Sequence, residues 1–299
     1  MRVMITGASG FVGRWATQSL SEMGAEIHAL SRHGSSQSSK WMTHQGDLLE
    51  AGTASRIVKA VRPDVILHLA WNVEHGKFWS SENNLDWQNS TLELARAASE
   101  VGIRRFVGVG TCFEYGWPEF ADCDETATPL TPTSLYAVTK DSTRRILEDM
   151  KKFSFAWARL FYLYGPFEHE GRLVASLASK LARNQPALLS RGLAVRDFMD
   201  ARDAGAALAA LTMSEVTGAV NIASGSKVSV AEIANLLGEI SGKPHLLHIG
   251  AMPDRIGEPP RIVANVRRMR EEVGFKSLIS LDQGLVETYD WWLRQVRSV

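Results

Sequence analysis

Val3-Met4-Ile5-Thr6-Gly7-Ala8-Ser9-Gly10-Phe11-Val12-Gly13 runs an apolar strand straight into three glycines. At a strand-to-helix turn, glycine permits a tight bend, close approach of backbone to a phosphate, and close helix–strand packing. The free N–H groups of the following helix then face the anion. Gly7, Gly10 and Gly13, with Ser9, Phe11 and Val12 between them, are therefore the candidate cradle for a dinucleotide's pyrophosphate. Their spacing is G-x-x-G-x-x-G rather than G-x-G-x-x-G.

Outward from this turn, short apolar strands alternate with helical stretches. Strands are expected over residues 2–6, 26–31, 65–70, 105–110 and 156–161, and helices over 13–23, 53–61, 84–101 and 136–152. This repetition predicts an α/β fold with a doubly wound parallel sheet. After Tyr164-Gly165-Pro166 the rhythm breaks. Helices near 173–184, 203–212, 230–242 and 281–295, a strand at 219–223 and a Pro/Gly-rich loop at 251–260 suggest a smaller, discontinuous C-terminal cap. Residues 1–165 with about 197–223 are expected to bind the dinucleotide, and about 166–196 with 224–299 to form the substrate-binding cap. The one low-complexity patch, residues 34–39, reads as a polar surface loop.

The 299 residues carry 33 basic and 33 acidic side chains, so nothing in the charge favours nucleic acid or an anionic membrane. Cys112 and Cys123 form neither a disulfide framework nor a metal-binding spacing. No apolar run approaches the ~18 residues of a membrane span, and residue 2 already opens a strand, so a cytoplasmic protein without a signal peptide is expected.

The second strand should end at the adenosine ribose. An acidic residue there would accept hydrogen bonds from a free 2′-hydroxyl; this chain has Ser31-Arg32-His33. Arg32 offers a charge-assisted fork to a 2′-phosphate, which favours NADP(H), with NAD(H) as the alternative. Asp47-Leu48 sits where a loop would reach the adenine. Far along the chain, Tyr136-Ala137-Val138-Thr139-Lys140 puts a phenol and an ammonium on one helical face, where the ammonium is expected to lower the phenol's pKa.

Here the chain resembles the extended short-chain dehydrogenase/reductase family, in its nucleotide-sugar branch, nearly end to end. The matching pieces are the glycine turn, Gly46-Asp47-Leu48, His68-Leu69-Ala70, Asn89, Thr111 with Tyr115-Gly116, and Tyr136-x-x-x-Lys140. They continue with Tyr164-Gly165-Pro166, Arg196-Asp197-Phe198 and Asn221-Ile222-Ala223-Ser224-Gly225. The resemblance implies a Rossmann sheet and a catalytic set of Thr111, Tyr136 and Lys140. Tyr136 would exchange a proton with the substrate oxygen, Thr111 would position the carbonyl, and Lys140 would hold the nicotinamide ribose. It also places Leu69, Ala70, Trp71 and Asn89 at the cofactor, and a homodimer surface on helices 84–101 and 136–152.

Departures from the family pattern narrow the chemistry. The branch's 4,6-dehydratases carry a glutamate two residues after the threonine, where this chain has Phe113. Glu114 is one residue late, and strand alternation would turn it to another face. The 3,5-epimerase/reductases carry a cysteine at that same place; here Cys112 is one residue early. On the cap, Arg196 and Arg255 match arginines that grip a nucleotide diphosphate. An asparagine common in the family is replaced by Tyr162. The segment 71–79, with Trp71, Glu74 and Lys77, is a candidate sugar-binding loop alongside Phe113. The expectation is an NADP(H)-dependent reductase of the 4-keto group of a nucleotide-activated 6-deoxy sugar. The alternatives are an NAD-dependent nucleotide-sugar 4-epimerase and a non-catalytic cofactor-sensing regulator.

Overall fold

The computed structural model describes residues 1–32, 41–118 and 121–297; the polar patch at 34–39 lies outside the described residues. The first half runs β1 (Arg2–Thr6), α1 (Gly13–Glu22), β2 (Glu26–Ser31), β3 (Met42–Gln45), α2 (Thr53–Val61), β4 (Val65–His68), α3 (Asn83–Glu100), β5 (Arg105–Thr111), α4 (Leu135–Met150) and β6 (Ser154–Leu160). The second half runs β7 (Tyr162–Tyr164), α5 (Leu173–Ala182), β8 (Ala187–Leu189), β9 (Val195–Arg196), β10 (Phe198–Asp200), α6 (Ala201–Met213) and β11 (Gly218–Ile222). It ends with β12 (Val228–Ser229), α7 (Val230–Ser241), β13 (Leu247–Ile249), β14 (Arg261–Ile262), α8 (Arg267–Glu271) and α9 (Leu281–Arg297).

Among the described residues, seven strands form one sheet in the order β11-β6-β5-β4-β1-β2-β3, every neighbouring pair parallel. The order reverses between β1 and β4, and at such a switch point the carboxyl ends of the strands open a crevice for a ligand. Period-two alternation sorts the side chains of β1. Val3 and Ile5 enter the core beneath α1 and α6, while Met4 enters the opposite core with Ile57 of α2 and Leu94 of α3. The alanine-rich α6 can lie close on α1 because Gly205 has no side chain; a Cβ there would strike Trp15. Gly108 and Gly110 likewise leave the room on β5 in which the Trp157 ring lies flat.

The third core belongs to the cap, where Val174, Leu177 and Leu181 of α5 meet Ile233 and Leu237 of α7 and Leu285 of α9. Two departures from the sequence reading stand out. The short edge strand β3 was not foreseen, because Met42-Thr43-His44-Gln45 is half exposed and has no apolar run. Ile262, Ala264, Val266 and Met269, expected in the cap, pack instead into the core of the main sheet. Their backbone pairs with β9 through β14 and bridges to Cys123 at Ala264. No helix among the described residues is long and apolar enough to cross a membrane.

Candidate active site

The glycine turn closes as the sequence requires. Gly7 adopts φ +76°, and its carbonyl accepts from Gly10 N at 3.0 Å. A Cβ on Gly7 would come within 2.8 Å of Ala70 N, and one on Gly13 would overlap the Gly7 carbonyl oxygen. Gly10 and Ser9 are exposed at the rim, beside partly exposed Phe11 and Val12. Among the described residues no side chain caps α1, and the Phe11 and Val12 N–H groups meet no acceptor. Unpaired donors at a helix N-terminus beneath a side-chain-free surface fit a pyrophosphate.

His68 locks the neighbouring strand to this turn. Its Nδ1 lies 2.7 Å from Thr6 Oγ1 and its Nε2 2.8 Å from Thr91 Oγ1, and Ala70 N donates to Thr6 Oγ1 at 3.2 Å. Complete burial, with the Lys140 charge adding to it, pushes the imidazole down to about 3, so it stays neutral and holds Leu69-Ala70 against the glycines.

At the other end of this cleft, Arg32, Gln45, Gly46, Asp47, Glu50 and Arg56 line a cavity of about 480 Å³. Arg32 and Asp47 were expected there; Arg56 was missed, since nothing in the sequence shows that α2 turns it back over Gly46. Ser31 closes the strand beside them, where its carbonyl accepts from Gly46 N. Leu48 is buried, and its carbonyl accepts from Ser90 Oγ of α3 at 2.7 Å. Asn89, expected at the cofactor, is turned to solvent. One residue along a helix rotates the side chain by about 100°, and it is Ser90 and Thr91 that face the sheet.

Thr111, Tyr136 and Lys140 come together at the carboxyl end of β5. Ser134 caps α4, accepting from Ala137 N at 3.2 Å, which fixes the turn carrying Tyr136. The Tyr136 hydroxyl and the Thr111 side chain are neighbours in the packed site. Lys140 Nζ donates to the Val109 carbonyl at 2.8 Å and lies 3.7 Å above the Trp71 ring. Trp71 is thus the floor under Lys140, anchored by its Nε1 to Asn84 Oδ1 at 2.9 Å. The expected lowering of the phenol's pKa is corrected. Burial raises Tyr136 well above the usual phenol range, with the Glu114 charge adding to it, and burial also pushes Lys140 down to about 7. In a site this dry, desolvation dominates the titration of both groups.

Glu114 does not lie on a strand, contrary to the alternation expected from the sequence. The strand ends at Thr111, and Cys112–Glu114 is a single 3₁₀ turn. Glu114 points inward: it binds Arg159 Nε at 2.7 Å, accepts from Trp157 Nε1 at 3.0 Å, and accepts from Thr111 N at 2.9 Å. The carboxylate is consumed in holding Thr111 in place. Cys112 is buried in the core, and its thiol is pushed up by that burial.

Phe113 faces the cleft. With Trp79, Tyr115, Gly116, Trp117, Thr131, Thr133 and Ser134 it lines a cavity of about 360 Å³. The aromatic wall is edge-to-face: Trp79 and Phe113 have centroids 4.5 Å apart, Phe113 and Trp117 5.3 Å, and Trp79 stands 5.9 Å from Tyr136. Trp79 and Phe113 belong to segments the sequence singled out. Trp117 and the three hydroxyl residues carried no motif and were missed.

The cap arginines behave differently from each other. Arg196 is buried and pairs with Glu258 at 2.7 Å beside the Tyr162 ring, while Asp197 instead binds Ser224 and Gly225. Arg255 is exposed. Glu74 and Lys77 pair with each other at 2.6 Å on the exposed face of their loop, so each is committed to its neighbour.

Residues 3–223 match the NAD dependent epimerase/dehydratase family. The chain is 24% identical to the dTDP-6-deoxy-L-talose 4-dehydrogenase (NAD(+)) of Aggregatibacter actinomycetemcomitans, over 77% of this chain and 87% of that protein. It is 25% identical to a UDP-glucose 4-epimerase of Rhizobium leguminosarum bv. trifolii, over 97% and 96% of the two. In fold it is similar to the crystal structure of a Thermotoga maritima UDP-glucose 4-epimerase with UDP-glucose. The TM-score is 0.87 at 21% identity, with 99% of this chain and 100% of the other covered.

Proposed function

The chain belongs to the NAD dependent epimerase/dehydratase family, and within it we propose that it reduces the 4-keto group of a nucleotide-activated 6-deoxyhexose with NADP(H). One observation carries this reading: Thr111, Tyr136 and Lys140 are assembled, while Glu114 and Cys112 are withdrawn from the cleft. Elimination needs a free carboxyl group and enolisation an acid or base beside the adjacent carbons. Carbonyl reduction needs only a proton donor and a hydride.

A bound nicotinamide dinucleotide supplies the hydride. Tyr136 and Thr111 hold the carbonyl oxygen between two hydroxyls. The raised pKa of Tyr136 keeps it protonated at neutral pH, so it enters the reaction as the acid and passes its proton to the oxygen as charge develops there. Lys140, held by Val109 and Trp71, lies one helical turn away and steadies the phenolate that remains. The apolar wall of Trp79, Phe113 and Trp117 suits a deoxysugar's methyl group, and Thr131, Thr133 and Ser134 suit its hydroxyls. Arg32 supports NADP(H) at the adenosine end. Arg196 and Arg255 serve the diphosphate, and exposed Leu85 on α3 with Val138 and Ile146 on α4 supports a homodimer.

The test is incubation with NADPH and a 4-keto-6-deoxy nucleotide sugar. Stoichiometric NADPH consumption and a single C4 alcohol are expected, with no deuterium at C3 or C5 in D₂O beyond an enzyme-free control. The same three residues would also serve a 4-epimerase, a reading favoured by the likeness to the Rhizobium enzyme. Interconversion of C4 epimers without loss of NADPH would establish it in place of the reductase.

A further inference from the structure

We propose that Arg56 on α2 is the second half of the 2′-phosphate site, taking that phosphate together with Arg32. The proposal rests on the NADP(H) reading above and assigns a specificity-determining role to a residue outside every motif of the chain.

The geometry begins at Gly46. Its N–H donates to the Ser31 carbonyl at 3.0 Å, which ties the loop after β3 to the end of β2, one residue before Arg32. Because Gly46 has no side chain, the space beside it is filled from α2. A Cβ there would lie 2.8 Å from Thr53 Cγ2 and 3.2 Å from a terminal nitrogen of Arg56. The Arg56 guanidinium therefore sits beside Gly46 at the end of β3, and it lines the same cavity as Arg32.

Among the described residues, neither guanidinium has an ion-pair partner. Two carboxylates, Asp47 and Glu50, line the cavity as well, and Asp47 Oδ1 is held by Leu49 N at 3.0 Å. Among the described residues, neither arginine forms an ion pair or hydrogen bond with either of them, although most arginines elsewhere in this chain are paired. A phosphate monoester carrying nearly two charges is the ligand that two forked, unpaired guanidiniums around one opening would take. A free 2′-hydroxyl would use neither.

The test is calorimetric binding of 2′,5′-ADP, 5′-AMP, NADPH and NADH to the wild type and to Arg32→Ala, Arg56→Ala and Arg56→Lys. Arg56 is exposed, so its replacement spares the core. In Arg56→Ala, 2′,5′-ADP and NADPH should weaken by roughly ten- to hundred-fold, as for loss of a charge-assisted hydrogen-bond partner, with 5′-AMP and NADH unchanged. Arg56→Lys should recover part of the loss, since it keeps the charge without the fork. If the wild type prefers NADPH and Arg32→Ala loses that preference while Arg56→Ala keeps it, the role of Arg56 is overturned and the cofactor reading stands. If the wild type binds NADH as well as NADPH, the cofactor reading itself fails.

Discussion

A side chain on Gly13 would overlap the Gly7 carbonyl, and one on Gly7 would press on Ala70, so the dinucleotide end of the cleft is made of backbone that admits one residue type. The cap end is made of side chains holding one another: Arg196 with Glu258, Glu74 with Lys77, and the stacked rings of His75 and His169, 5.4 Å apart. The contrast teaches where specificity can change. Backbone geometry cannot drift without losing the fold, whereas paired side chains can exchange partners when a ligand arrives.

The sharpest way to break this comparison is Gly13→Ala. Overpacking against backbone cannot be relieved by a rotamer change, so dinucleotide binding should fall below detection and stability by roughly 1–3 kcal/mol or more. Gly10→Ala, whose Cβ would meet only the Gly7 oxygen at 3.2 Å, should bind measurably. Equal binding by the two variants, measured by calorimetry, would show that the turn is not the rigid element assigned here.

Tyr136→Phe comes next. It removes the proposed proton donor and leaves the glycine turn untouched, so turnover should fall by ~10²–10⁴-fold with NADPH affinity unchanged. Turnover near the wild-type rate on a 4-keto-6-deoxy nucleotide sugar would take Tyr136 out of the mechanism.

At the joint between the halves, in the loop from β7 to α5, Glu168 is buried and has one carboxyl oxygen without a partner among the described residues. Burial raises it from 4.5 to about 8. Between these values the unfolded chain releases a proton that the folded chain keeps. Its contribution is therefore complete below pH 4.5 and is lost progressively as pH rises through about 8, on the order of 5 kcal/mol at most. Denaturant midpoints at pH 5 and pH 9 should diverge in the wild type, and Glu168→Gln should narrow the gap. An unchanged gap in the variant would assign the pH dependence elsewhere.

The smallest effects belong to the cap pair. Arg196→Ala should weaken a nucleotide diphosphate by about ten-fold or somewhat more. Glu258→Gln frees Arg196 from its competing carboxylate and should tighten the same ligand a few-fold at most. Were both variants to bind a nucleotide diphosphate as the wild type does, Arg196 would be a structural ion pair.

Local backbone features were legible in the amino-acid sequence alone. These are the glycine turn, the alternation that builds the parallel sheet, and the helical spacing that puts Tyr136 and Lys140 on one face. Each is encoded within a dozen residues, so periodicity and glycine placement suffice to read it. The tertiary structure decided what depends on partners far apart in the chain. It turned Glu114 inward onto Arg159, committed Arg196 to Glu258, rotated Asn89 to solvent, and brought Arg56 over Gly46 beside Arg32. It also reversed the balance at Tyr136, because the burial that raises a phenol's pKa is a property of the whole packed site and not of the four-residue spacing to its lysine.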